Sequence, residues 1–459
     1  MAGDPEKQKE KSGSSLVTGN LWRAIWVMSW PLLLTTIANS LVGLVDVKVA
    51  SYLGSDTQAA VGLAEHIIFI FMVFILSVGV GSTALVSRAY GAQDHSDMLK
   101  ATSQSFTLSI LLGLAMTATA SLTAQFVLGY FTSSPHVLSE GRAYLMAYSF
   151  VLMPYSISII ANAVFRAIGD SKTPLCIISS MTLVNIVGDY LTVLKNFPVP
   201  GLGVRGMAYA SLAASLLGAT LAVFFMRRSI LKESLGQLLP IDKHELMRIA
   251  RIGIPSAFQR MGWALSVFAI FFILARCNDS VSALASWTIG MRVESLIFMP
   301  LLALSLAVAS IVGQNLGANE TERAFQAGWR VTSIGIYMMV IAGFVLYSLA
   351  APVAELMSNE PGTVAYTCQY LKINALGEPC LAVGMVLTGA LQGAGDTKAP
   401  MWFTIITNWL IRIPLAYVLA IIFKLGPSGV WWAMLSSIVI QGMLVGWRYQ
   451  SRAWLRLKI

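Results

Sequence analysis

Five polar side chains stand where an apolar helix should carry none. Asp46, Glu65 and Asp189 interrupt long hydrophobic runs, and Asn185 and Ser211 accompany them. A carboxylate in a helix inside a bilayer costs several kcal/mol unless it is solvated, paired or protonated, so such residues are functional candidates by default. Their depths agree. Asp46 lies a turn or more from the outer end of the first apolar segment, and Asp189 about two turns from the outer end of the fifth. Ser211 sits about two turns into the sixth from the same side. Asn185 precedes Asp189 by four residues and shares its helix face. Two carboxylates at one level cannot both ionise cheaply. The set therefore suits a shared proton, or a Na⁺ ion if the oxygens close around one.

The second half of the chain carries Arg260, Arg292, Glu294, Glu378 and Arg412 in its apolar segments. Here cations can neutralise acids, so an internal ion-pair cluster that locks two helices is expected. Glu294 and Glu378 stay secondary candidates for coupling or substrate binding. Lys48 and His66 lie near an outer segment end, where a lysine can snorkel to the interface. Pro31 and Pro255 occupy matching places, 224 positions apart. A proline removes one helix hydrogen bond and permits a kink. The segment holding Asp46 thus also holds a hinge candidate, Pro31.

The elements that must position these residues are long and apolar. The chain has 459 residues, is 56% hydrophobic and only 12% charged, with a mean hydropathy of +0.71. Apolar runs long enough for membrane helices recur along its length. Twelve are read, from 24–50 to 428–448, with the fourth at 142–166 and the tenth at 366–391. A β-barrel would show short alternating strands instead, and the run Ala210–Met226 does not alternate. The fold class expected is an all-α polytopic membrane protein with two homologous six-helix bundles.

The two bundles are written in the sequence as a repeat. Gly169-Asp-Ser-Lys-Thr-Pro174 returns as Gly395-Asp-Thr-Lys-Ala-Pro400, 226 positions later. Tyr90-Gly91-Ala92 falls over Leu316-Gly317-Ala318 and Tyr144-Leu145 over Tyr370-Leu371 at the same spacing. Six segments per half keep both halves in one orientation, and like halves in a membrane usually enclose a substrate path. The expected organisation is a disordered cytoplasmic tail 1–20, a first lobe 21–226, a cytoplasmic linker 227–249, a second lobe 250–448 and a basic tail 449–459.

Charge sets the topology. With the N-terminus inside, about 21 of the 31 Lys and Arg residues fall on the cytoplasmic side. The net charge of +9 is thus an orientation signal and not a nucleic-acid footprint. Both termini are expected inside a bacterial plasma membrane, with the first segment an uncleaved anchor. Gly201-Leu-Gly-Val-Arg-Gly206 matches a dinucleotide fingerprint in letters only, for it lacks the strand and soluble helix that the fingerprint needs. Gly169-Asp-Ser-Lys-Thr lacks phosphate-loop glycine spacing, and His244-Glu245 lacks the second histidine of a zinc-protease helix. Cys176, Cys277, Cys368 and Cys380 show no metal or redox spacing. No enzyme, cofactor, metal centre or nucleic-acid partner is expected.

Taken together, the doubled Gly-Asp-Ser/Thr-Lys-x-Pro segment, Val312-Gly-Gln-Asn-Leu-Gly-Ala318 and Arg166-Ala-Ile-Gly-Asp170 preceded by Asn162 resemble the multidrug and toxic compound extrusion (MATE) family. The resemblance covers about 20–448. It implies a twelve-helix antiporter that exports drugs or metabolites against entry of H⁺ or Na⁺. Within the family the chain looks more like the DinF-type branch. Asp46 falls where that branch has its coupling aspartate, and Asn185 and Asp189 match its Asn-x-x-x-Asp. Ser211 stands where a threonine is common. Asn39, seven residues before Asp46, stands where another polar cavity residue is usual, and Asn162 and Glu65 join it as cavity candidates. Phe258-Gln-Arg-Met-Gly-Trp263 lacks the coupling glutamate of the NorM-type branch. Lys48 departs from the pattern. An ammonium reaching Asp46 would hold it as carboxylate and weaken proton coupling, but residues two apart point to different helix faces.

The reading is a monomeric secondary antiporter in the lipid bilayer, exporting small organic, cationic compounds against H⁺ in preference to Na⁺. One rival is a lipid-linked oligosaccharide flippase, which Arg260, Arg292 and Arg412 would serve by binding pyrophosphate. The other is a non-transporting membrane receptor or assembly partner, which predicts no ion-dependent flux.

Overall fold

The structure is a computed structural model that describes residues 16–131, 134–194, 202–457 and 459. Among the described residues every regular element is helical. The chain divides into two compact units, 1–254 and 255–459.

Unit 1 contains α1 (Leu21–Tyr52), α2 (Ser55–Gly91), α3 (His95–Phe131), α4 (Pro135–Ser149), α5 (Leu152–Ala167), α6 (Lys172–Asp189) and α7 (Val204–Arg227). A turn of π-helix, Tyr190–Leu194, extends α6 directly beyond Asp189. α8 (Lys243–Leu274) begins in unit 1 and carries the chain into unit 2. Unit 2 continues with α9 (Ser280–Gly317), α10 (Thr321–Ser348), α11 (Ala350–Met357), α12 (Pro361–Ala375), α13 (Glu378–Gly393), α14 (Lys398–Ile405), α15 (Ile413–Tyr417) and α16 (Pro427–Gln450). Two π-helical stretches, Ile406–Arg412 and Val418–Ile422, flank α15.

Among the described residues ten stretches are long and apolar enough to cross a membrane, or twelve with each of two bent pairs taken as one span. The bent pairs fall over the spans expected at 142–166 and 366–391. α4 and α5 meet at 50°, and α12 and α13 at 57°. The breaks fall after Ser149 and after Ala375, again 226 positions apart. Pro379 occupies the first turn of α13, where its missing N–H breaks no helical bond. Outward faces stay apolar, with Leu122, Phe126 and Leu356 more than three-quarters exposed, as side chains facing lipid require.

The doubled motif is a turn device. Gly169 (φ +90°) and Gly395 (φ +86°) adopt the left-handed conformation that glycine enters without strain. In unit 1, Asp170 Oδ1 then accepts the backbone N–H groups of Lys172 and Thr173, each at 3.0 Å. This closes the first turn of α6. In unit 2 the same aspartate, Asp396, is held by Arg448 at 2.7 Å.

The connection between the lobes is fixed to unit 1. Gln104 bridges it, donating to Pro240 O at 3.2 Å and accepting from Asp242 N at 3.1 Å. Arg248 joins Asp97 and Glu245, each at 2.8 Å. Of the expected tail 1–20, residues 1–15 lie outside the described residues; Leu16 is buried and Asn20 caps α1. The C-terminal stretch is packed as well. Trp454 is fully buried, with its ring 4.6 Å from that of Tyr449.

Candidate functional site

The register of α1 against α6 brings the first carboxyl pair together. Ser171 Oγ donates to Val27 O at 2.9 Å and Thr182 Oγ1 to Ala38 O at 3.4 Å, and each bond spans 144 positions. Equal spacing means two parallel helices in fixed register. Extended to Asp189, it points to residue 45, next to Asp46. The two carboxyls indeed lie within hydrogen-bonding reach of each other. α7 supplies the third wall. A Cβ on Gly188 would lie 2.7 Å from the Ala210 side chain, so only glycine permits this approach of α6 to α7. It lets Asn185 Nδ2 donate to Ser211 Oγ at 3.0 Å.

The chemistry follows from which atoms lack donors. Asp46 Oδ1, both oxygens of Asp189 and Asn185 Oδ1 are buried without a hydrogen-bond donor from the protein. Asp189 is wholly buried and Asp46 nearly so. Two carboxylates facing each other are all acceptor, so a bond between them exists only with a proton shared. A small cation is the alternative occupant, since these are oxygen donors of the kind that hard cations select.

Of the other expected residues, Glu65 is part-buried and within electrostatic reach of Asp46. Tyr144 and Tyr148 on α4 lie within electrostatic range of all three acids, with no hydrogen bond to them among the described residues. Sequence reading singled out Tyr144 only as the repeat mate of Tyr370 and passed over Tyr148. The signal was there, since a repeated tyrosine in an apolar segment keeps a hydroxyl needing a partner. Asn39 is exposed on α1. Asn162 stands fourteen residues past Tyr148 across the α4–α5 bend, roughly 20 Å along the chain at helical rise. Its Oδ1 is buried without a donor, but nothing joins it to the carboxyls. Lys48 turns away from Asp46, its Nζ 5.0 Å over the Tyr52 ring. His66 Nδ1–H donates to Gly62 O, 2.8 Å away, on an exposed face.

Unit 2 corrects the expectation of an ion-pair lock. Among the described residues no ion pair within 4.0 Å joins Arg260, Arg292 or Arg412 to Glu294 or Glu378; the pairs formed lie elsewhere. Tyr370 Oη instead donates to Glu294 Oε2 at 2.8 Å. Arg412 Nε donates to Ser437 Oγ at 2.7 Å. Glu378 is buried, and its Oε2 has no donor. Arg292 faces outward. Tyr370 is held by an aromatic box, its ring 4.8 Å from Trp431 and 6.0 Å from Trp287. Gly290 leaves room for that ring, since a Cβ there would sit 2.4 Å from it. Arg412 lies in π-helix, a geometry frequent at functional sites. Among the described residues no group of three metal-ligating side chains occurs.

Known proteins give the same architecture. The family model described as MatE matches residues 31–191 and 255–418. A Thermotoga maritima protein described as "Probable multidrug resistance protein NorM" is 26% identical over 432 residues, covering 93% of this chain and 92% of its own. A solved transporter of the MOP superfamily from Pyrococcus furiosus superposes with a TM-score of 0.90 at 21% identity, covering 97% of this chain and 99% of its own. A structure described as the outward-facing conformation of a multidrug resistance MATE family transporter gives a TM-score of 0.89 at 21% identity, covering 96% and 97%.

Proposed function

The chain belongs to the MATE family of membrane transporters, which are not enzymes, and from that premise we propose that it is a cation-coupled secondary antiporter of the DinF-type branch. It exports organic compounds by alternating access, as a monomer in a bacterial inner membrane with both termini cytoplasmic. The observation that carries this reading is the buried pair Asp46–Asp189, three of whose oxygens, with the neighbouring Asn185 Oδ1, no protein donor satisfies. Such a pair holds one proton comfortably and two charges poorly. Na⁺ would fit the same oxygens, but the wholly buried Asp189 favours neutralisation by H⁺.

The pair also supplies an exchange mechanism. A cationic compound and the coupling ion relieve the same uncompensated charge, so each disfavours the other at the site. Export then follows from whichever side offers more coupling ion. Names of relatives such as the Thermotoga maritima protein support drugs as the exported class. Solved MATE structures described as bent and straight conformations support a change of shape, for which Pro31 is our candidate hinge in α1.

The test is dye efflux from vesicles with Na⁺ and H⁺ gradients imposed separately. Efflux driven by the H⁺ gradient alone is expected. Efflux driven by Na⁺ alone would replace the proton, and flux indifferent to both would remove the antiporter reading.

A further inference from the structure

We propose that Ser256 and Arg260 on α8 form an oxyanion site in unit 2 that takes the carboxylate of an exported compound; this rests on the antiporter reading above. Arg260 lies near the middle of a helix that crosses the membrane, seventeen residues from its start and fourteen from its end. A guanidinium there is functional by default. Its Nε is buried without a hydrogen-bond partner, and so is Ser256 Oγ. Ser256 is fully buried and stands one turn earlier on the same face. Helical side chains lean toward the N-terminus, so Arg260 reaches back over the turn that holds Ser256. Two unused donors thus stand on one helix face, one turn apart.

The adjoining Gln259 has neutral partners. Gln259 donates to Thr404 Oγ1 at 3.2 Å and accepts from Gln392 Nε2 at 3.1 Å, and Gln441 reaches Thr404 at 3.3 Å. Amides and hydroxyls stand where a structural ion pair would have placed an acid. Among the described residues no carboxylate pairs with Arg260, which differs from Arg248, Arg448 and Arg452. The missing counter-charge is therefore one a ligand brings. A planar fork of N–H donors matches a carboxylate in two-point geometry, and the serine hydroxyl adds a third donor. The exported class then includes organic compounds that carry a carboxylate, amphoteric ones among them.

The experiment compares a xanthene dye bearing a free benzoic carboxylate with the methyl ester of the same dye. Binding to the purified full-length protein is read by fluorescence anisotropy, and efflux is read in vesicles. Arg260→Gln should weaken binding of the carboxylate dye about tenfold or more, the scale of a lost charge-assisted contact, and leave the ester unchanged. Arg260→Lys should fall between, and Ser256→Ala should give a smaller loss of the carboxylate dye alone. An unchanged elution profile and helix content guard against misfolding, and the lysine variant keeps the test open if glutamine unfolds the chain. Equal loss of both dyes, no loss of either, or no binding of the carboxylate dye by the unaltered protein would overturn the site. Displacement of the dye by phosphatidylglycerol vesicles would assign the guanidinium to a lipid headgroup and overturn the solute assignment. If binding discriminates the dyes while neither moves under any gradient, the antiporter reading fails and the site stands.

Discussion

Asp46 and Asp189 were legible as candidates because an acid in an apolar run is rare and costly. Their shared depth followed from counting turns. Their contact depended on the register of α1 against α6, which two hydroxyl–carbonyl bonds set. Sequence spacing alone carries no such information, because Ser171 and Thr182 look like ordinary helix residues. The second-half charges were misread for the same reason: counting cations and acids suggested pairs, whereas Tyr370 and Ser437 are the partners chosen. Lys48 gives a sharp check at this scale. Its ammonium rests over Tyr52, so Lys48→Gln should leave the pH dependence of efflux where it is. A displaced pH profile would show that the ammonium reaches Asp46 after all.

At the scale of elements, hydropathy located the spans but missed their breaks. The 50° and 57° bends sit inside continuous apolar stretches, and composition does not change across them. π-helical turns leave no pattern at all, since they alter hydrogen-bond register and not side-chain type. Close helix contacts are the third hidden feature. Gly188 is one glycine among 37, yet it sets the α6–α7 distance. Gly188→Val should overpack that seam, cost roughly 1–3 kcal/mol and separate Asn185 from Ser211. Thermal unfolding of the purified protein checks the first effect and ion-dependent efflux the second. Pro31 belongs to this scale too. Pro31 lacks the N–H that would bond Val27 O, and Ser171 Oγ donates to that carbonyl at 2.9 Å within an unbroken α1, so a neighbouring hydroxyl fills the gap the proline leaves. If Pro31 is a working hinge, Pro31→Ala should impair efflux more than Pro255→Ala, because α1 carries Asp46 of the carboxyl pair, whereas the buried acid of α8, Glu245, is neutralised by Arg248. Equal effects, or undiminished efflux by Pro31→Ala, would make the proline merely structural.

For the molecule as a whole, the repeat at 226 positions was the most readable feature, and it survives in the paired glycine turns and paired bends. Orientation is a prediction from charge. Single cysteines at Ser14 and Ser451 should resist an impermeant thiol reagent added outside intact cells. Labelling of either would refute the proposed topology. The central claim is that the Asp46–Asp189 pair carries the coupling ion, and it is tested most directly on reconstituted vesicles containing either the unaltered protein or Asp46→Asn. Dye efflux and internal pH are followed together under an imposed proton gradient, with elution profile and helix content confirming that both proteins are folded. The account predicts dye leaving as protons enter for the unaltered protein, and no gradient-driven movement of either for Asp46→Asn. Coupled efflux by Asp46→Asn at the unaltered rate would contradict it.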